Sequence, residues 1–262
     1  MSARVGSRIG GVVLGVAVLA AAVAIWDAWP RTEWAEFYFP GAREIGSAAR
    51  DVWPDADFLR AVAASLRRLA AGYALGAAAG IAAGLAMGSS LRVRNTLNPT
   101  TEFLRAVPVI AVLPIAIVLL GDGDAMRVAV IAFGVFFPVL VATVDGVRAV
   151  PPEIRDSAAL FGLGNVERDV RVYLPAALPT IFAGLRIALS IGLVLVVISE
   201  FNGTGDGLGV YIWNQRFLSA VPEMYAGILF LGLLGYVLNR LFLVLEHRVL
   251  AWHYGAIGER VR

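Results

Sequence analysis

The stretch Val172–Ser199, VYLPAALPTIFAGLRIALSIGLVLVVIS, carries one charge, Arg186, in an otherwise uncharged run. A segment near the roughly 20 residues that cross about 30 Å of hydrocarbon reads as a membrane span. In lipid the backbone has to satisfy its own hydrogen bonds, so such a segment is a helix. Working outward, five more runs read the same way: Ile9–Trp26, Leu69–Leu91, Ala106–Gly121, Val128–Val144 and Met224–Leu245, the last broken only by Arg240. The expected spans fall at about 9–26, 69–91, 104–121, 127–147, 176–199 and 222–245, in a single transmembrane domain over 1–262. A loop at about 149–171 joins the fourth and fifth. The expected fold class is an all-α integral membrane protein with six transmembrane helices.

Composition agrees. Of 262 residues 59% are hydrophobic and 16% charged, and mean hydropathy is +0.76. Soluble domains hold roughly 45–50% apolar and about 25% charged residues, so this chain is neither an ordinary soluble domain nor disordered. Every basic residue is an arginine, and the net charge is only +2. No basic cluster resembles a nucleic-acid patch. Cysteine is absent, which excludes disulfides, thiol catalysis and thiolate metal sites. The two histidines, His247 and His253, lie in a C-terminal tail that makes no recognisable ligand cluster, so no metal site is expected.

Placing both termini in the cytoplasm puts Arg92, Arg94, Arg105, Arg148, Arg155, Arg168 and Arg171 inside. Only Arg127 and Arg216 then remain in the short outer loops, as the positive-inside rule favours. Arg4 and Arg8 before the first run also fit a cleaved signal peptide, but its apolar region exceeds the usual 7–15 or so residues. In the long outer segment Asp57 is expected to cap a helix with Phe58, Leu59, Val62, Ala63, Leu66 and Leu69 at helical spacing, lying along the outer surface. Trp26, Trp29, Trp34, Phe37, Tyr38 and Phe39 suit an interfacial aromatic belt.

Within the spans Gly72, Gly76, Gly80, Gly84 and Gly88 recur every fourth residue, a face on which another helix packs closely. The Gly203–Gly209 stretch fits no phosphate-loop spacing and reads as a flexible outer turn. Arg186, at mid-span, needs either a wet cavity, where it lines a solute path, or a carboxylate or helix-end carbonyl as partner. Ser199, Glu200 and Asn202 form a polar cluster at the end of the same span, either an outer gate or an interface marker. Asp122 and Asp124 occupy a turn where aspartate and glycine are expected. No nucleophile-and-base set is visible.

Between the fourth and fifth spans lies Val150-Pro-Pro-Glu-Ile-Arg-Asp-Ser-Ala-Ala-Leu-Phe-Gly-Leu-Gly164. Pro152 suits a first helical position and Glu153 the positive N-terminal dipole. Gly162 suits the left-handed residue that ends a helix, and Asn165 is expected to cap a second one. A short self-contained helix of this kind is either gripped by a partner or an ordinary connector.

From Asp156 the segment reads D-S-A-A-L-F-G, then nine residues, then V-Y-L-P ending at Pro175. This resembles the E-A-A-x-x-x-G-x9-I-x-L-P loop of ABC-importer permeases, the membrane subunits of binding-protein-dependent transporters. Asp156, Ser157 and Val172 depart from the pattern, and Asp156 keeps the charge. Leu66-Arg-Arg68, Leu104-Arg-Ala-Val-Pro108 with Pro114, Gly184-Leu-Arg186, Ser199-Glu200, Gly207-Leu-Gly209 and Leu245-Glu-His-Arg248 look like the taurine, aliphatic-sulfonate and nitrate branch.

The resemblance implies the type I importer transmembrane fold with a cytoplasmic coupling helix, in the bacterial inner membrane. Glu153, Asp156, Ser157, Ala158, Ala159, Gly162, Leu163 and Gly164 would meet the ATPase. Partners would be a second permease copy, two ABC ATPase subunits that bind ATP and Mg, and an external solute-binding protein. This chain would carry no cofactor and would not itself be an enzyme. Pro108, Arg186, Ser199, Glu200 and Asn202 are the candidate path or gate residues for a small anion. The alternative function is a stand-alone secondary transporter, which needs carboxylates inside the spans, and none falls within the apolar runs.

Overall fold

Helices supply all the regular structure among the residues that the computed structural model describes, 37–201 and 204–253 with 14–15, 17–18 and 20–28, the side chain of Ala159 excepted. Residues 20–28 are helical. The later helices are α1 (Ala42–Val52), α2 (Ala56–Ser89), α3 (Leu91–Ala106), α4 (Val109–Leu120), α5 (Asp124–Arg148), α6 (Pro152–Leu160) and α7 (Asn165–Arg168). A π-helical turn, Asp169–Tyr173, leads into α8 (Leu174–Glu200), and α9 (Leu208–Phe217) and α10 (Val221–Val249) follow.

Four of these runs are long and apolar enough to cross a membrane: α2, α5, the continuous stretch Asn165–Glu200, and α10. Of the first expected span, 9–26, residues 14–15, 17–18 and 20–26 are described, and all are helical. The third expected span is not one straight helix, because α3 and α4 meet at 95° and make a further crossing only as a bent pair. Pro108 has no N–H, and its ring disfavours helical backbone at the residue before it. Val107 is accordingly extended, at φ −73° and ψ 123°. With 12 residues, α4 alone rises about 18 Å.

The expected surface helix and second span are instead one helix of 34 residues. Its cap is Asp55 rather than Asp57: the Asp55 carboxylate accepts from the Asp57 and Phe58 N–H groups at 2.9 and 3.0 Å.

The glycines of α2 explain how it meets α5. A Cβ at Gly72 would lie 2.6 Å from Ile131 Cβ, one at Gly80 2.8 Å from the Phe136 carbonyl, and one at Gly88 2.7 Å from Val147 Cβ. Gly76 and Gly84 are tight against Ala132 and Thr143. The two backbones touch, which in lipid supplies the dispersion attraction that hydrophobic burial supplies in water. On its other side α5 packs along α8, where Gly146 faces Ala177 and Gly184 faces Ala142. Val130, Ile131, Val135, Val139, Ala188 and Val196 form the fully buried centre.

The chain divides into two compact units, Met1–Leu59 with Tyr211–Phe230, and Arg60–Val210 with Leu231–Arg262. In the first, Ala48 and Ala49 pack on Ala226, and the Trp53 indole donates to the Ala226 carbonyl at 3.1 Å. Phe58 meets Tyr211 and Phe230 edge-on, and the Trp26 indole donates to Pro40. Trp29 and Trp34 lie outside the described residues. The second unit holds the charged features described next.

Candidate functional site

The Pro152–Gly164 segment is held at its base and open at its tip. Pro152 opens α6 and Glu153 lies in its first turn. Gly162 has φ +68°, the left-handed conformation that stops the helix, with nothing within 4 Å of where a Cβ would stand. The second short helix is capped by Gly164, and Asn165 is its first residue, accepting from Arg168 at 3.2 Å. An extended Gly164 (φ −62°, ψ 161°) makes a side-chain cap at Asn165 unnecessary.

Arg155 anchors α6 to the end of α5. Its guanidinium donates to the carbonyls of Val147, Arg148 and Val150 at 2.8, 2.9 and 3.0 Å, filling acceptors that a helix end leaves free. The Tyr173 ring, buried with Val147, Val150, Ala177 and Ile181, lies under both Arg155 and Arg168. Ala158 is buried, whereas Glu153, Asp156 and Ser157 are exposed. At the tip Leu160 is 89% exposed, Phe161 83% and Val166 77%. Together they leave an exposed apolar patch at the end of a braced segment.

At the Asp124 end of α5 lies a buried charge cluster. Arg68 of α2 is 4% exposed and Glu200, which closes α8, is 0% exposed, and they meet at 2.8 Å. Arg68 Nε donates to Asp124 at 2.6 Å, one Nη donates to the Asp206 carbonyl at 2.5 Å, and the other meets the Asp206 carboxylate. Ser65 donates to Glu200 at 2.8 Å and accepts from the Leu208 N–H at 2.8 Å, and the Gly209 N–H donates to Glu200 at 2.8 Å. A Cβ at Gly207, where φ is +138°, would land on the Glu200 carboxyl. Beside this cluster, buried Arg127 donates to the Thr204 carbonyl at 2.8 Å and pairs with Asp122. The turn 204–209, expected to be flexible, is therefore tied at both ends. The Arg68 guanidinium, hydrogen-bonded to Asp206, holds that carboxyl below the usual carboxylate range.

Arg186, in mid-α8, pairs with Glu246 of α10. The helices run further than the expected spans, so Glu200 and Glu246 lie within them, each against an arginine. Ser199 is fully buried and bonds the Val196 carbonyl of its own helix. Asn202 lies outside the described residues. Arg186 and Glu200 stand about 21 Å apart along α8, so the expected path residues do not converge.

Two adjoining cavities lie at the other end of α5. One, of about 190 Å³, separates α3 from α5 and is lined by Arg94, Arg105 and Arg148 among others. The second, of about 410 Å³, lies between α5 and α8 and shares Arg105, Phe137, Val141 and Asp145 with the first.

Residues 76–251 match the family model described as a binding-protein-dependent transport system inner membrane component. That match covers Gly76, Gly80, Gly84 and Gly88 of the glycine face, the Pro152–Gly164 segment and both cavities. The chain belongs to this family.

The permease is 34% identical over 188 residues to the chain named as aliphatic sulfonates transport permease SsuC of Bacillus subtilis, covering 72% of this chain and 68% of that one. It is equally 34% identical over 188 residues to the nitrate import permease NrtB of Leptolyngbya laminosa, covering 72% and 67%. Its fold matches a chain of the inward-facing MetNI methionine ABC transporter with a TM-score of 0.63 at 18% identity, over 73% of this chain and 95% of that one. The permease is thus a multi-pass membrane transport subunit with the type I importer fold.

Sequence reasoning gave no site role to Ser65, Arg68, Arg155 or Glu246. A signal existed for two of them: Ser65 and Arg68 continue the face of Gly72 and Gly76 at intervals of three and four residues. Arg155 carries no such pattern, because its acceptors are helix-end carbonyls, which sequence does not mark.

Proposed function

We propose that this permease lines the pore of an ATP-driven, binding-protein-dependent importer of a small anion, as one of two identical copies. Two cytoplasmic ATPase subunits, holding ATP and Mg, dock on the Pro152–Gly164 segments, and an external binding protein delivers the solute. Both termini lie in the cytoplasm of a bacterial cell with the chain in its inner membrane.

The observation that carries this reading is the braced helix with an open apolar tip. Leu160 and Phe161 offer a hydrophobic knob, and Glu153, Asp156 and Ser157 offer polar contacts beside it. Arg155 and Tyr173 join that knob to α5 and α8, so a push on the knob moves two spans together. ATP-driven closure of the ATPases then shifts the cavity between its two accessible states, a bistable element biased by nucleotide. Ala159, Leu163 and Gly164 complete the contact, and Gly162 shapes its end. The anion is supported by the sulfonate and nitrate relatives.

The test is Leu160→Glu with Phe161→Glu in the native host. The protein is expected in the membrane at its usual level but without its ATPase subunit on purification in mild detergent. Full retention of the ATPase would refute the docking surface. Uptake by the purified chain in liposomes without ATP would favour a secondary transporter.

A further inference from the structure

We propose that the cleft between α3 and α5 is an oxyanion-binding vestibule in which Arg94, Arg105 and Arg148 draw the transported anion to the coupling-segment end of the permease. The inference deepens the reading of the chain as an anion importer and rests on it.

Four observations converge. The cleft is a real space, about 190 Å³, large enough for a nitrate, bicarbonate or small sulfonate group. Its α3 wall repeats along one helical face, Arg94, Asn98, Thr101 and Arg105, and supplies only hydrogen-bond donors or hydroxyl and amide groups apart from Glu102. Glu102 is already bound to Arg105 at 2.6 Å. Arg94 and Arg148 have no ion-pair partner among the described residues. Guanidinium groups suit planar oxyanions because they offer paired donors in a fixed fork.

The position fits passage rather than storage. The cleft adjoins the larger cavity between α5 and α8, with Arg105 lining both, and Arg148 lies four residues before Pro152, the start of the proposed ATPase-docking segment. A site on a path has to attract its ion and still release it. Asp145, on the α5 wall shared by both cavities, and Glu102 leave the cleft only modestly cationic, and so suited to weak binding. Single-sign clefts raise local counter-ion concentration and on-rates by about 10- to 1,000-fold at low salt, and with two carboxylates among its three arginines this cleft belongs at the low end of that range.

The natural absence of cysteine allows a direct test. Thr101→Cys is placed in the assembled transporter in neutral-lipid nanodiscs and reacted with anionic and cationic methanethiosulfonates of similar size. The anionic reagent is expected to react at least about tenfold faster at low ionic strength. Arg94→Gln with Arg148→Gln should abolish that preference, and Arg94→Lys with Arg148→Lys should retain most of it. Millimolar nitrate or methanesulfonate should slow labelling more than chloride at equal ionic strength. Equal rates for the two reagents, or protection by chloride as strong as by nitrate, would overturn the proposal. So would protection conferred only by phosphatidylglycerol, which would assign the arginines to a lipid headgroup. Because labelling reads the cleft without transport, retained selectivity in a chain that fails to bind its ATPase would sink the importer reading and leave the anion site standing.

Discussion

The two ends of α5 treat charge in opposite ways. At Asp124 the guanidinium groups of Arg68 and Arg127 are buried, and between them they reach three carboxylates on Asp124, Glu200 and Asp206, a fourth on Asp122, and backbone carbonyls. At Arg148 the arginines face open space, and only Arg105 has a carboxylate partner. Residue type is the same at both ends, so the difference is one of saturation. A guanidinium whose donors are filled by its own fold holds a turn in place, and one whose donors are free remains available to a solute. Burying the first kind is expensive, and close to full pairing offsets it: Arg68 uses all three of its nitrogens, whereas Arg127 leaves Nε without a partner among the described residues.

That contrast can be broken by mutation. The largest effect is expected for Arg68→Ala, which leaves Glu200 buried and uncompensated and costs ~3–5 kcal/mol. A fall in thermal midpoint in detergent reads it, and Arg68→Met with Glu200→Leu together should cost less than Arg68→Ala alone. Next comes Gly84→Val, which drives a side chain into Thr143 on α5 and costs ~1–3 kcal/mol by the same assay. Unchanged stability there would mean α2 and α5 do not touch. Arg186→Gln removes the ion pair to Glu246 at a site that stays partly hydrated, since Arg186 is 40% exposed. Its destabilisation should fall between those of Gly84→Val and Asp124→Asn. Asp124 is 62% exposed, and losing its charge is expected to cost under ~1 kcal/mol. Arg148→Gln should shift the midpoint least of all, within ~0.5 kcal/mol. A loss at Arg148 matching that at Arg68 would erase the distinction between the two ends.

Much of the fold was legible because lipid imposes a simple rule. Long uncharged runs have to be helices, and α2, α5, α8 and α10 sit where those runs lie. The glycine face was legible for a similar reason, since five small residues on one stripe have few uses other than contact. The bend at Pro108 was harder, because composition across 104–121 looks continuous and only the backbone restriction at Val107 breaks it. Helix ends were misplaced by a residue or more wherever a charge seemed to end a span. Glu200 and Glu246 read as boundaries, yet distant arginines, Arg68 and Arg186, keep them within the helices. Pairings across 132 and 60 residues leave no local pattern. The Pro152–Gly164 segment, by contrast, was readable because proline, acid and left-handed glycine each act locally.

The most direct measurement is a site-specific cross-link from Phe161. In this cysteine-free chain Phe161→Cys takes a thiol-reactive photo-crosslinker in native membranes, and the adducts are identified by mass spectrometry. The account predicts an ABC ATPase subunit as the principal adduct, with a yield that changes when nucleotide is trapped. Efficient labelling of Phe161→Cys with adducts only to lipid, or to this chain itself, would contradict it.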